Sequence, residues 1–251
     1  MPDHFFIVGA QRSGTTYLYH LLAEHPQIEM AQPVRPEPKF FLTDACFEQG
    51  LARYWERFFP GKPGARLRGE KSTSYMESEP AARRIAQCFP NARMLFLLRD
   101  PIERALSNYR FSVGSGLEPL PLEEAFRRED ERWEAYDRTR VSVSPYAYLR
   151  RGRYIDFIGM YERYFARDQL VVLLNERLVG NAAALQELYT MLGVSPDFLP
   201  DSLHRVINES ADLPVALSAS LEADLVAYYA DANAALAQRF GLDLACWRRF
   251  A

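Results

Sequence analysis

The sequence is poor in the residues that build covalent or metal-bound scaffolds. It has three cysteines, Cys46, Cys88 and Cys246, which are far apart and form no CxxC pair. That pattern argues against both a disulfide framework and a cysteine zinc site. The four histidines show no HxxxH or HExxH spacing, so they predict no metal site. We therefore expect reduced or buried thiols and no metal site.

Long apolar runs and an excess of positive charge are also missing. No apolar run approaches the roughly 18 residues that cross a bilayer, and the N-terminus lacks a basic region followed by an apolar run and a cleavage site. The net charge is −3 and the sequence pI is about 5.9, whereas nonspecific nucleic-acid binding requires a basic surface. These absences predict a cytoplasmic protein with no membrane span and no nucleic-acid partner.

The sequence does contain apolar runs that alternate with helical patterns. Buried strands are predicted at 4–9, 93–101 and 169–176, with a further short strand within 66–76. Helical patterns occupy 14–24, 54–61, 79–92, 102–112, 121–136, 154–165, 181–194 and 218–241, and irregular loops are predicted at 139–149 and 195–215. This alternation predicts an α/β protein with three layers, a P-loop-like fold in which helices flank a central parallel sheet. We expect one domain over 1–251, with its ligand at the carboxyl ends of the strands.

The first motif is "GAQRSGTT", which follows the first strand. Gly9 and Gly14 bracket a GxxxxG loop, whose backbone amides can surround an anion at the start of the next helix. Nucleoside triphosphatases continue such a loop with lysine and then serine or threonine. Here Thr15 and Thr16 follow, and Arg12 is the cation of the loop. The ligand is therefore anionic, but the triphosphate-binding lysine is absent.

The second motif is "LFLLRDPIERALSNY". A triphosphatase would end this strand in an acid that holds Mg²⁺, but here Arg99 comes first and Asp100 follows. A cation at this edge suits an anionic ligand, and Asp100 is placed to cap the next helix. Arg99 has a structural alternative, which is to pair with Asp100 or Glu103. Ser107 lies about two helical turns further on, within reach of the same anion.

Taken together, these segments resemble the sulfotransferases that use 3′-phosphoadenosine 5′-phosphosulfate (PAPS), in their heparan-sulfate-type and bacterial branch. "GAQRSGTTYLYHLL" is similar to the 5′-phosphosulfate loop and "LLRDPIERALSNY" to the 3′-phosphate segment. "EPKFF" resembles a Glu-x-His-Phe-Phe element and "GEKSTSYM" a Glu-Lys-Ser-x-x-Tyr element of that branch. The later "YERYFARDQLVVLLNERL" and "DANAALAQRFGLDL" are also similar, so the resemblance covers nearly the whole chain.

The resemblance implies transfer of a sulfuryl group from PAPS to a hydroxyl or amine, with release of the desulfated nucleotide PAP. The acceptor would be a small molecule, a glycan or a natural product. No γ-phosphate has to be held, which explains the missing lysine, and no metal is required. The implied cofactor-binding residues are Arg12, Ser13, Gly14, Thr15, Thr16, Arg99, Ser107 and Arg205.

The resemblance also implies catalytic and acceptor-binding roles. Glu37 would take the acceptor proton, and Arg12 and Lys71 would neutralise charge on the leaving oxygen. Lys39 and Tyr154 would join Glu37 in binding the acceptor. Arg12 departs from the usual lysine, so it keeps the charge but loses the compact ammonium group. Lys39 stands where the branch often has histidine. A lysine at this position would suit an acidic acceptor.

Each of these roles has a structural alternative. Glu37 and Lys71 could be solvated charges, and Tyr154 could be a core residue. If Glu37 is not the base, Glu70 is the next candidate. For the whole chain, the alternatives to a sulfotransferase are a P-loop nucleotide kinase or NTPase and a non-catalytic PAP-binding protein.

Overall fold

The structure is a computed structural model that describes residues 3–135, 144–205 and 215–250. Within these ranges, the strands are β1 (Asp3–Gly9), β2 (Ile28–Met30), β3 (Leu67–Lys71), β4 (Arg93–Leu98) and β5 (Leu170–Leu174). They form one sheet in the order β2-β3-β1-β4-β5, and every neighbouring pair is parallel. The predicted parallel α/β sheet is confirmed, and β1 lies at its centre.

Helices follow or separate the strands along the chain. They are α1 (Thr15–Glu24), α2 (Asp44–Phe47), α3 (Gly50–Phe58), α4 (Glu79–Cys88), α5 (Pro101–Gly114), α6 (Leu122–Arg127), α7 (Glu129–Glu134), α8 (Tyr154–Tyr161), α9 (Asn175–Leu178), α10 (Ala182–Leu192) and α11 (Ala219–Phe240). A short 3₁₀ helix, Thr73–Glu77, follows β3. The flanking of the sheet by helices agrees with the predicted fold.

The chain divides into two compact units. The first comprises Met1–Leu98 and Gly159–Ile207, and the second comprises Arg99–Ile158 and Asn208–Ala251. All five strands described above belong to the first unit. The expectation of one domain over 1–251 stays a prediction.

The first unit is organised around β1, which is apolar on both faces. Phe5, Phe6, Ile7 and Val8 are fully buried, as a central parallel strand requires because helices cover both of its faces. One face packs against apolar side chains of α1 and α10. Phe6 lies on the other face, in an aromatic cluster that contains His4, Phe6, Phe41, Tyr54 and Phe89. Burial lowers the pKa of His4 to about 3, so this ring is neutral at physiological pH.

The second unit has its own core between α5, α6 and α11. Ile102, Tyr109, Leu225 and Tyr229 are among its buried members. Gly152 allows a close approach there, since a Cβ atom would lie 2.7 Å from the Tyr229 ring and 2.8 Å from Pro101. The hydrophobic stripes of these helices therefore build a core that includes no strand among the described residues.

Several boundaries differ from the sequence-based expectations. The short edge strand β2 was not predicted, because its three residues are too few to show a periodicity. Helix α3 begins at Gly50, four residues before the predicted start, and the charged pattern of 121–136 forms α6 and α7 in place of one helix. The predicted loops at 139–149 and 195–215 lie partly outside the described residues.

Membrane-spanning helices and metal sites were not expected from the sequence. None of its helices has the length and apolarity that crossing a membrane demands. In the same ranges, no group of three or more histidine, cysteine or acidic side chains is arranged to hold a metal ion.

Candidate active site

The loop between β1 and α1 has the geometry of an anion-binding turn. Arg12 has φ 67° and Gly14 has φ 85°, so left-handed residues flank Ser13. Such alternation turns successive N–H groups toward one point. Side chains of Ser78, Asp100, Asn181 and Ser218 cap the longer helices α4, α5, α10 and α11, but Gly14 supplies no side-chain cap to α1. The first amides of α1 are thus left for a ligand or for water.

The hydroxyl groups of the loop differ in their surroundings. Ser13 is fully buried, and its Oγ has no hydrogen-bond partner among the described residues. Thr15 is also buried and Thr16 is partly exposed. An orphaned hydroxyl beside uncapped amides fits a loop that completes its hydrogen bonds with an anion.

Gly14 is required for steric reasons as well as for its backbone angle. A Cβ atom on this residue would lie 2.4 Å from Oδ1 of Asn175, the first residue of α9 after β5. The sequence analysis did not identify Asn175. A single asparagine after a strand carries no recognisable signal, and only the sheet order brings it beside the loop.

Glu37 and Lys71 form an ion pair in the first unit. Lys71 ends β3 and is 4% exposed, and its Nζ lies 2.6 Å from Oε1 of Glu37. Thr73 donates its backbone N–H to Oε2 at 3.0 Å, and its hydroxyl lies 3.1 Å from both carboxylate oxygens. The structure thus brings Glu37 and Lys71 together, and it adds Thr73. Thr73 stands at an unspecified position of the Glu-Lys-Ser-x-x-Tyr element, so the motif held no signal for it.

The charged pair lies next to the end of the central strand. Lys71 is in register with Ile7 of β1, and the N–H of Ser72 donates to the carbonyl of Ile7 at 3.2 Å. The loop that contains Arg12 begins where β1 ends. A parallel sheet therefore places the acid and the lysine at the same carboxyl edge as the anion-binding loop.

Lys39 has an unusual backbone. Its φ is 51°, and its N–H donates to Oγ of Ser72 at 2.9 Å. The side chain is partly exposed. Binding of the acceptor by Lys39 stays a prediction.

Glu70 is excluded as an alternative base by its burial. Its exposure is zero, and Ser72 and Tyr54 donate hydroxyl protons to its carboxylate at 2.6 and 2.8 Å. A carboxylate enclosed in this way cannot contact an acceptor. Glu37, whose side chain is 14% exposed, can.

Arg99 and Asp100, which are adjacent in the second unit, make different contacts. Asp100 caps α5, because its Oδ1 accepts the N–H groups of Ile102 at 2.9 Å and Glu103 at 3.1 Å. Arg99 reaches Glu103 only at 3.7 Å, whereas Arg249 holds the same carboxylate at 2.5 Å. Arg99 therefore pairs only weakly with Glu103, and Asp100 is used as the cap of α5. The guanidinium of Arg99 remains suited to an anionic ligand.

Ser107 and Tyr154 are both buried in the second unit, with exposures of 3% and 1%. Ser107 lies on α5. The hydroxyl of Tyr154 donates to the carbonyl of Arg99 at 2.7 Å, and its ring packs against Trp247. This placement indicates that Tyr154 positions the backbone of Arg99. The predicted contact of Tyr154 with an acceptor stays a prediction.

Arg205 is exposed and is the last residue described before 206–214. Its N–H donates to the carbonyl of Ser202 at 3.0 Å, which closes a short 3₁₀ helix. Its assignment to the 3′-phosphate stays a prediction.

A parallel sheet with an anion-binding loop after its central strand defines the P-loop-like α/β class. Residues 2–211 match the model of the sulfotransferase domain family, and the chain belongs to that family. This family is one of sulfotransferase enzymes, so the membership does not support the kinase and NTPase alternatives. The predicted family is confirmed.

Individual relatives agree with this assignment. A sulfotransferase from Alicyclobacillus acidocaldarius has a similar structure, with a TM-score of 0.79, 28% identity and 99% coverage of both chains. Human heparan sulfate glucosamine 3-O-sulfotransferase 6 is 28% identical over 81% of this chain and 53% of its own length. Mouse bifunctional heparan sulfate N-deacetylase/N-sulfotransferase 4 is 29% identical over 78% of this chain and 23% of its own length. The chain thus spans about half or less of these two curated relatives.

Proposed function

We propose that this sulfotransferase moves a sulfuryl group from PAPS to a hydroxyl or amine of a small-molecule, glycan or natural-product acceptor and releases PAP. The observation that carries the proposal is the Glu37–Lys71 pair, 2.6 Å apart, at the sheet edge that also bears the uncapped loop. The family in general uses PAPS. The names of the heparan sulfate relatives support a glycan among the possible acceptors.

The loop of the first unit would hold the 5′-phosphosulfate. The amides of residues 12–16 and the hydroxyls of Ser13, Thr15 and Thr16 supply donors, and Arg12 supplies charge. In the second unit, Arg99 and Ser107 would bind the 3′-phosphate, with Arg205 as a further cation. These assignments use no metal, because cationic side chains and backbone amides supply the positive potential.

Glu37 would act as the general base. A carboxylate has about four acceptor positions, and Lys71, the Thr73 N–H and the Thr73 hydroxyl fill three of them. The remaining position would accept the proton of the acceptor hydroxyl as its oxygen attacks sulfur. The new S–O bond forms while the bond from sulfur to the 5′-phosphate oxygen breaks, and the proton stays on Glu37.

Lys71 can serve both ends of the transfer. Its ammonium group has three N–H donors, and one of them is directed at Glu37. Another would stabilise the negative charge that develops on the leaving oxygen, together with Arg12. Positioning and charge stabilisation of this kind are the main contributions of a protein to an in-line group transfer.

Ligand-induced thermal stabilisation tests the nucleotide assignment. PAP should raise the Tm without added metal, because a ligand at a hundredfold excess over its Kd stabilises by roughly 2.7 kcal/mol. ATP should stabilise far less. Stronger stabilisation by ATP that depends on Mg²⁺ would overturn the proposal. If PAP stabilises as expected, labelled PAPS offered to several acceptor classes would identify the acceptor.

Glu37→Gln tests the base. The substitution keeps the shape and removes the basicity, so kcat should fall by about a hundredfold or more, while PAP affinity and Tm barely change. Glu48→Gln, on an exposed acid at the end of α2, is the matched control and should retain turnover. Near-normal turnover in Glu37→Gln would place the base elsewhere.

A further inference from the structure

Two hydroxyl groups accept hydrogen bonds from the backbone of the segment that contains Glu37. The N–H of Lys39 donates to Oγ of Ser72 at 2.9 Å, and the N–H of Phe41 donates to the hydroxyl oxygen of Tyr75 at 3.1 Å. We call residues 37–41 the base segment. Both contacts lie within four residues of Glu37, so they restrict where its carboxylate can lie.

Both hydroxyl groups direct their own protons at one carboxylate. Ser72 donates to Oε1 of Glu70 at 2.6 Å, and the hydroxyl of Tyr75 also bonds to Glu70. Tyr54 is a third donor, at 2.8 Å from Oε2. A hydroxyl has one proton, so Ser72 and Tyr75 can accept the amides of the base segment while their protons are held elsewhere.

The surroundings of Tyr54 indicate the same direction of hydrogen bonding. Its proton is directed at Glu70, so its oxygen accepts from Nε2 of His4, 3.1 Å away. This arrangement leaves Nδ1 of His4 without a proton, and that atom has no partner among the described residues. The three hydroxyl groups around Glu70, those of Tyr54, Ser72 and Tyr75, therefore all donate to it, and His4 donates to Tyr54.

We propose that Glu70 is a positioning residue for the catalytic base: by accepting the protons of Ser72 and Tyr75, it keeps both oxygens available to the backbone of the base segment. Glu70 is fully buried and acts through these hydroxyls, not on a substrate. Burial also raises the pKa of Glu70 to about 7, against the opposing effect of its hydrogen bonds. Experiments at pH 8 therefore observe the carboxylate form.

Glu70→Gln is the direct test, because an amide must donate where the carboxylate only accepts. The hydroxyl group that faces the amide nitrogen must then change its direction, and the other hydroxyl groups exchange a charged acceptor for a neutral one. We expect the hydrogen-exchange protection of the Lys39 and Phe41 amides, measured by NMR at pH 8, to fall at least about fivefold. Tyr54→Phe is the matched control: it removes one donor to Glu70 without touching the base segment, so both amides should stay protected.

Ser72→Ala is a second variant that keeps Glu70 in place. It should expose the Lys39 amide to exchange and leave the Phe41 amide protected. Unchanged protection at Lys39 in Glu70→Gln and Ser72→Ala would overturn the proposal. An equal loss of protection in Tyr54→Phe would also overturn it, since that result means a general loosening of the core.

The kinetic consequence rests on the proposed function, whereas the amide measurements do not. In Glu70→Gln, kcat should fall about tenfold or more, since small displacements of a catalytic group are costly, with PAP affinity unchanged within about twofold. A chain that turns over no acceptor would count against the proposed function alone, because amide exchange still decides the role of Glu70. Normal kcat in a Glu70→Gln protein with exposed Lys39 and Phe41 amides would show that the base needs no such positioning, and would overturn the inference.

Discussion

Two helices that follow neighbouring strands treat their first amide groups in opposite ways. Helix α1 follows β1, and Gly14, which precedes its first residue, supplies no side-chain cap. Helix α5 follows β4, and Asp100, which precedes its first residue, accepts two backbone N–H groups with its carboxylate. In α1 the uncapped backbone amides would be the donors for an anion. In α5 the backbone donors are already used, so an anion there has to be bound by side chains, and Arg99 and Ser107 are the candidates.

The difference teaches why one motif contains glycine and the other arginine. Binding by backbone amides requires left-handed angles and close approach, which Gly14 supplies at φ 85°. Binding by side chains requires a cation that its neighbours pair with only weakly. Arg99 lies 3.7 Å from Oε2 of Glu103, whereas Arg249 lies closer to the same carboxylate, at 2.5 Å from Oε1.

The largest expected effect comes from removing the side-chain cation. Arg99→Ala should weaken PAP binding by roughly 2 to 4 kcal/mol, the scale of losing a charge-assisted contact. Adenosine 5′-phosphosulfate lacks the 3′-phosphate and should lose much less, and isothermal titration of both ligands measures the difference. Arg153→Ala, which removes an arginine paired with Asp231 at 3.0 Å, is the control and should leave PAP affinity intact. Equal losses for both ligands in Arg99→Ala would mean that Arg99 is structural.

Altering the backbone site should have the next largest effect. Gly14→Ala forces a side chain into a left-handed residue at a cost of about 1 to 2 kcal/mol, and its Cβ would lie 2.4 Å from Oδ1 of Asn175. The Tm and the PAP affinity should both fall. Gly50→Ala separates strain from clash, since Gly50 has φ 80° and no heavy atom within 4 Å of a Cβ. A drop in Tm as large in Gly50→Ala would show that Asn175 does not restrict the loop.

Removing the cap of α5 should cost stability more than binding. Asp100→Ala leaves the Ile102 and Glu103 amides without their partner, a loss of about 1 kcal/mol, or a Tm lower by about 2 to 4 °C. Ser218→Ala removes the cap of α11 and should behave alike. PAP affinity should change far less than in Arg99→Ala. A comparable loss of affinity would mean that the carboxylate, and not only the arginine, shapes the anion site.

The smallest expected effect concerns the charge of Asp100, the cap of α5. Burial raises the pKa of Asp100 above its usual value, despite its hydrogen bonds to Glu103 and Ile102. The folded state therefore binds the Asp100 proton more readily than the unfolded state, so acidification through this range favours folding at this site. Asp100→Asn keeps a capping group without this titration. The Tm of the variant relative to the unaltered protein should thus decline as the pH falls from 7 toward about 4, and a rising difference would contradict the assigned sign.

Much of the fold could be predicted because its signals are local. The apolar run of β4 and the glycine that ends β1 indicate buried parallel strands, and the structure confirms them. Strand β2 escaped notice because three residues, Ile28–Met30, are too few to show a periodicity. The pattern of 121–136 suggested one helix, but Arg128 leaves helical geometry and divides it into α6 and α7.

The site divides in the same way. Arg12 and Arg99 are visible in the sequence because their charges stand in a glycine loop and at a strand end, whereas Glu37 and Lys71 are named through the resemblance of their motifs. Thr73 and Asn175 are visible in neither way, since their importance comes from residues distant in the chain.

The sequence by itself determined the reaction family, the anion-binding loop and the charges that serve it, because each depends on residues close together in the chain. Tertiary structure decided which of two neighbouring acids is exposed. Glu37 and Glu70 are both acids in recognisable motifs, but the sheet buries Glu70 among three hydroxyls and leaves Glu37 beside Lys71 at its edge. Burial and hydrogen-bond direction are set by what the rest of the chain packs against a residue, and no local pattern contains that information.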